Sequence, residues 1–414
     1  MTGRERVLRA LSFRPVDRVP LDLGGMNSTG VSAFAYPKLR RTLGLKDQPP
    51  RIHDTGQMLA LPERDVLDAL QCDVVTVHGD WVTNAFEEPE RWRPYDFNGR
   101  LPARVTQPGN FLAQPDGSIL QWGISRMVPA SFVFDSPHAG QEIIMEGEIP
   151  KEDPATLRRT LAAARFTEAQ VSSIRDYCRR VRESTDRAVF FNGLGTGLGF
   201  RGGMAQFSIH CLTEPDYVHE IHTIVIDHCV EQVNRLLPAI APYVDLVMFA
   251  ADDQGVQNTT ILPPDVFRKL FVPYYRRAND AFHRAAPGVK SFMHCCGAVY
   301  DILDDIVACG FDIFNPVQWS AGGRSYREWK DKCRGRIALW GGGVNTQTTL
   351  PLGTVDDVRR EVREVVACMA VDSGFVFCAI HNLLAEIPPE KIIMLYETAR
   401  VVRLKLEGLR VKGG

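Results

Sequence analysis

The chain has 414 residues, 45% hydrophobic and 24% charged, with a formal net charge of −2. Those proportions belong to a folded globular protein, and the balanced charge excludes the basic surface that nucleic acid or an anionic membrane requires. No run approaches the roughly 18 apolar residues of a membrane span, and "MTGRERVLRALSF" reads as a charged amphipathic helix rather than a secretion signal, so the expectation is a cytoplasmic protein with no membrane or nucleic-acid partner.

After that helix come two short apolar runs, "VPLDL" (19–23) and "CDVVTV" (72–77). Residues 100–135 follow, where "QPDGSILQWG" carries a hairpin signal at Asp116-Gly117. From about residue 187 a regular alternation begins. Apolar runs at 188–192, 244–250, 289–293, 311–314, 336–341 and 374–378 are mostly separated by segments of helical period. Val299, Ile302, Leu303, Ile306 and Val307 share one helical face, and "ACGFD" supplies the stop. Val218, Ile221, Val225, Val230 and Val233 mark a second helix within 214–238, and Thr354 caps a third, running to about 371. Eight strands followed by helices close most economically as one α/β domain. The reading is a single (β/α)8 TIM barrel over residues 1–414, with a β-rich insertion near 100–135 over its mouth.

In such barrels chemistry gathers where strands end. The polar residues at those positions are Asp22; His78 and Asp80; Asn192; Asp252, Asp253 and Gln257; His294 and Cys296; Asn315 and Gln318; Asn345 and Gln347; then Cys378, His381 and Asn382. His, Cys, Asp and Asn dominate, while Lys and Glu stay on the helices. Trp81, Trp122 and Trp319 are candidates for a pocket wall.

His294 and Cys296, alternate residues of an extended segment, share a face. Histidine nitrogen and cysteine sulfur are zinc donors, and a catalytic zinc keeps three protein ligands and one open position. The third ligand falls to Cys378 or His381 in "FCAIHN", with Asp252 or Asp253 as oxygen donors. The remaining cysteines of the ten, Cys295 among them, read as core thiols. "GLGTGLGFRGG" (193–203) fits a dinucleotide fingerprint poorly, because no acidic residue ends a neighbouring strand at the required distance. It reads either as a loop that lets a flat ligand approach the backbone or as a turn-rich loop without a ligand. "WGGG" (340–343) is a candidate anion contact.

Five stretches, "RERVLRALSFRPVDRVPLDLGG", "ADDQGVQNTTILPPDVFRKLFVPYY", "HCCGAVYDILDDIVACGFDIFNPVQ", "LWGGGVNTQTTLPLGTVDDVRREV" and "GFVFCAIHNLLAEIPPEKI", together resemble, in order, the uroporphyrinogen decarboxylase superfamily. The resemblance implies a (β/α)8 barrel. It also implies a choice between true decarboxylases and corrinoid-linked methyltransferases.

The decarboxylases carry an arginine-rich stretch after the first strand, where this chain reads "LDLGGMNSTG" with no arginine. Multiple carboxylates need bidentate guanidinium partners, so the methyltransferase branch is favoured. In that branch a His-x-Cys pair and a later Cys bind zinc. His294 and Cys296 match the pair, while His381 occupies the later slot and Cys378 lies three residues earlier.

The resemblance therefore implies methyl transfer between a corrinoid carried by a separate partner protein, docked over the barrel mouth, and a small donor or acceptor. The acceptor is a thiol such as coenzyme M activated by zinc, or tetrahydrofolate anchored by Asp252, Asp253 and Asn192. His78, Gln257, Asn315, Gln318, Asn345 and Asn382 are expected to bind substrate or cofactor. A homodimer is compatible with the sequence. The rivals are uroporphyrinogen decarboxylase activity, with Asp22 as the acid, and a non-catalytic binding barrel.

Overall fold

The computed structural model describes residues 1–78, 91–140 and 150–402. Asp80 and Trp81 lie outside them. Seven parallel strands, Val74–His78, Ala188–Asn192, Leu246–Ala251, Lys290–His294, Ile313–Asn315, Ala338–Trp340 and Phe375–Val376, pair in chain order as a single sheet. The ring is completed by the segment expected as the first strand. Leu21 bridges Phe377 in parallel, with Phe377 N donating to Pro20 O (2.8 Å) and Asp22 N to Phe377 O (2.9 Å). On the other side Asp73 N donates to Leu21 O at 2.8 Å. The result is a (β/α)8-type barrel with seven regular staves and one irregular one.

The irregularity at 19–23 has a local cause. Leu21 N donates to the Asp73 carboxylate (2.9 Å) instead of to a ladder carbonyl. Asp73 also receives Arg6 Nη1 at 2.6 Å and Arg18 Nη1 at 2.7 Å. One buried carboxylate therefore joins the N-terminal helix Gly3–Leu11, the closing segment and the Val74–His78 stave. Val7 and Leu11 of that helix pack into the barrel interior.

Alternation along the strands divides the core into two. Inward residues Phe190 and Phe292 each meet Trp340 edge-on and each other at a tilt, with ring centroids 4.9–5.8 Å apart, beside the small Ala188 and Ala338. Outward residues such as Val189, Phe191, Met293 and Phe314 meet the surrounding helices. The expected helical faces are present. Val299, Ile302, Leu303 and Ile306 are buried, although the element begins as a 3₁₀ turn at Tyr300–Ile302 before Leu303–Ala308. Pro215–Ile240 buries Val218, Ile221, Val225 and Val233. Thr354 caps Val355–Met369 in a capping box with Asp357.

Over the mouth, strands Phe111–Ala113, Ile119–Gln121 and Ser125–Met127 form the expected β-rich insertion, with Gly117 at φ +82° in the hairpin turn. A second antiparallel sheet, Val31–Ser32, Ile52–Asp54 and Leu59–Ala60, was not expected from the sequence. Strands of two or three residues carry too little alternation to be read.

Removing one partner of a buried charge cluster leaves the others uncompensated. Asp73→Ala is expected to destabilise the protein by about 3–5 kcal/mol in chemical denaturation. A loss below about 1 kcal/mol would show that the barrel closes without this carboxylate.

Candidate metal centre and ligand cavity

Parallel pairing places His294 opposite Asn315 and Ala251 opposite His294, so the ends of three neighbouring staves meet at one level. Asn315 donates its amide Nδ2–H to Trp340 O at 2.9 Å, and its Oδ1 therefore faces His294 Nδ1 at 2.7 Å. The imidazole must donate from Nδ1, with Ser28 Oγ 3.1 Å away, which leaves the Nε2 lone pair pointing outward. Cys296 Sγ lies 3.2 Å from that Nε2 and Asp253 Oδ1 lies 3.5 Å from it. The Cys296 backbone N–H donates to the same Asp253 oxygen at 2.7 Å.

The third member comes from beyond the last strand. Donor atoms of His294, Cys296 and His381 all lie within 4.8 Å of one another, the one such group among the described residues that could hold an ion. Burial, with a smaller contribution from His294, lowers His381 to about 4, so its imidazole is neutral and able to ligate at physiological pH. Burial, reinforced by Asp253, pushes the Cys296 thiol well up.

Cys378 takes no part. It follows Val376 by two residues, shares its inward face, and is packed against Trp340 in the barrel interior. A Cβ on Gly341 would sit 3.0 Å from its Sγ. Of the two candidates for the third ligand, the structure places His381 at the cluster and buries Cys378 beneath it. Cys295 is also fully buried, as expected of a packing thiol.

His294 and His381 open onto a cavity of about 950 Å³, which Asn192, His78, Asp252 and Asp253 also line. Burial raises Asp252 to about 7, even though the Tyr275 hydroxyl donates to its Oδ2 at 2.5 Å. Asn192 spends its amide nitrogen on Gly25 O (2.9 Å) and Thr76 Oγ1 (3.0 Å). The glycine loop contributes residues 193–198 to the wall. Next to it Gly199 (φ +135°) comes so close to Asp252 that a Cβ would be 2.6 Å from Oδ1.

Several expected binding residues do other work. Gln257 donates to Ser320 O (2.9 Å) and accepts from Gln347 Nε2 (2.8 Å), joining three loops away from the cavity. Gln318 accepts from Gly297 N at 2.7 Å, and Asn345 folds its own loop by accepting from Gln347 N and Thr348 N. Asn315 orients His294, and Asn382 holds Gln57 at 2.8 Å. The glycines of "WGGG" are closely packed against protein: a Cβ on Gly343 would be 2.2 Å from Phe377, and one on Gly342 2.8 Å from Val317 O. Trp319 donates to Gly342 O at 2.7 Å, whereas Trp122 lines the cavity. Asp22 does not line it. That carboxyl is fully buried, receives Trp340 Nε1 and Gly25 N at 2.9 Å each, and is raised by burial to about 6.

The residues missed from sequence are on the cap, apart from Ser28 in the loop after the first stave. Ser28, His53, Asp54, Thr55 and Gln57 all line the cavity. None ends a barrel strand, so reading strand ends could not find them.

Residues 153–402 match the family described as uroporphyrinogen decarboxylase (URO-D). The chain belongs to this family. No curated protein matches the chain. Among solved structures, a methyltransferase from Methanosarcina mazei superposes with a TM-score of 0.55 at 16% identity, over 96% of this chain and 98% of that one. At that identity the likeness shows a shared fold. An endo-1,4-β-mannanase from Rhizomucor miehei (TM-score 0.33, 11% identity, 60% of this chain and 90% of that one) and a psychrophilic family 10 xylanase (0.31, 11%, 52% and 72%) are also similar. Their scores carry no argument.

The Asp22 carboxyl has a pH signature. Its folded value, about 6, exceeds the unfolded 3.8, so the stability it contributes is complete at low pH and lost as pH rises to 6. The wild type is expected to lose about 3 kcal/mol relative to Asp22→Asn between pH 3 and pH 7 in parallel denaturation series. A difference that does not change with pH would contradict the burial of an ionisable Asp22.

Proposed function

We propose that the protein transfers a methyl group between a corrinoid carried on a partner protein and a small molecule held in the cavity beside His294, Cys296 and His381. The observation that carries this reading is the convergence of a nitrogen–sulfur–nitrogen donor set whose two imidazoles, His294 and His381, line a cavity large enough for a small substrate. The donor set fits zinc, and Asn315 presents His294 in the tautomer a metal ligand needs, its second nitrogen tied to an amide oxygen. A zinc-type ion supplies Lewis acidity, lowering the pKa of a substrate thiol or polarising a substrate heteroatom.

The chain's own residues do the remaining work. Asn315 and Ser28 hold the His294 ring, and Asp253 holds the Cys296 backbone. The glycine loop puts Gly193, Gly195 and Gly197 on the wall, where a planar group can come close to the backbone. Asp252, backed by Tyr275, offers a carboxyl to the small molecule.

A thiol acceptor such as coenzyme M would use the metal, and a tetrahydrofolate acceptor would use Asp252, Asp253 and Asn192. A methylated small molecule would use the same cavity as a donor. The uroporphyrinogen decarboxylase alternative has less support. Met26, Asn27 and Ser28 occupy the wall where the family's arginines are expected, and the carboxyl expected to act as the acid, Asp22, is sealed under Trp340.

Purified protein is expected to carry about one equivalent of zinc. His294→Ala and Cys296→Ala are expected to lose that zinc, together with at least about 100-fold in the rate of spectral change with methylcobalamin and acceptor. Zinc retained in both variants, or a methylcobalamin spectrum unchanged with thiol, folate and methylated donors alike, would overturn the reading.

A further inference from the structure

None of the described residues lining the cavity is Lys or Arg. Three carboxyl groups line it: Asp252, Asp253 and, from the cap, Asp54. Asp54 accepts hydrogen bonds from Asn27 Nδ2 (2.8 Å), Gln57 N (2.9 Å) and Gln57 Nε2 (3.0 Å), all neutral donors. The imidazoles add no cation at neutral pH on that side, since burial lowers His53 to about 4 and His78 well below its ordinary value.

Arg201 borders a smaller recess that shares Asp252 and Asp253 with the cavity. It is already engaged with both oxygens of Glu152, at 2.6 and 2.9 Å. A divalent ion on His294, Cys296 and His381 would be offset by the Cys296 thiolate and the adjacent Asp253, which leaves Asp54 and the partly ionised Asp252 to set the sign of the wall.

From this lining we infer that the cavity takes an uncharged or cationic small molecule, such as an amine, an ether or a simple thiol, and disfavours one that must seat a carboxylate, sulfonate or phosphate inside it. An anion entering a partly enclosed site needs a paired cation, and the described wall offers none. Of the acceptors considered, a sulfonated thiol is therefore disfavoured, and a folate could enter only by its uncharged pterin head. The inference rests on the proposal that this cavity is the substrate site.

The test reads the sign of the local potential directly. Gln57→Cys and, separately, Thr55→Cys place a thiol on the cavity wall of the full chain. Each is labelled with 2-aminoethyl methanethiosulfonate (cationic) and 2-sulfonatoethyl methanethiosulfonate (anionic), and the rate at that cysteine is followed by peptide mass spectrometry. The cationic-to-anionic rate ratio is expected to exceed that of free 2-mercaptoethanol by roughly tenfold or more at low salt. It is expected to fall toward the reference when Asp54→Asn is added. A ratio at or below the reference in both cysteine variants overturns the inference. The labelling needs no corrinoid, so failed methyl transfer with a high ratio would sink the functional proposal alone. Active transfer with a low ratio would sink only the charge assignment.

Discussion

The amide of Asn315 determines which nitrogen of His294 faces the cavity. Its Nδ2–H is committed to Trp340 O on the neighbouring stave, so its oxygen is the only group it can turn toward the imidazole. That forces the proton onto Nδ1 and exposes Nε2. The grouping with Cys296 and His381 and the contact with Asp253 both follow from that orientation. Both residues are buried, so loss of the bond would also strand polar groups in the barrel, which reinforces the arrangement.

The barrel supplies the rigidity this requires. Pairing His294 with Asn315 in register, above a layer of Phe190, Phe292 and Trp340, leaves the ring little room to rotate. Barrel closure is less regular. It depends on Asp73, whose carboxylate substitutes for part of a backbone ladder and anchors the N-terminal helix across the end of the barrel opposite the mouth. The Asp73 charge cluster and the His294 donor group thus occupy opposite ends, with Asp22 and its Trp340 partner sealed between them.

Much of the fold was legible because parallel strands with crossover helices leave two periods in the sequence, and seven expected staves stand where the apolar runs lie. The eighth, at 19–23, could be placed but its irregularity could not be foreseen, because its partner is the side chain of a residue 52 positions away. The His-x-Cys pair was legible because alternate residues share a face. The choice between Cys378 and His381 was not, since it depends on where the last strand ends. Cys378 still follows the inward alternation after Val376, whereas His381 lies past the turn.

Gln257, Gln318 and Asn345 looked like ligand contacts because they are polar and follow strands. Long loops without backbone ladders need such side chains to hold themselves together. His53, Asp54 and Gln57 left no signal because they reach the cavity from a cap built of two- and three-residue strands.

The convergence of one thiol and two imidazoles is tested most directly by X-ray absorption at the zinc edge on zinc-loaded protein. The structure predicts a first shell with one sulfur and two imidazole nitrogens, the sulfur disappearing in Cys296→Ser. A shell with two or more sulfurs, or one made only of oxygens, would contradict the assignment of the metal to His294, Cys296 and His381.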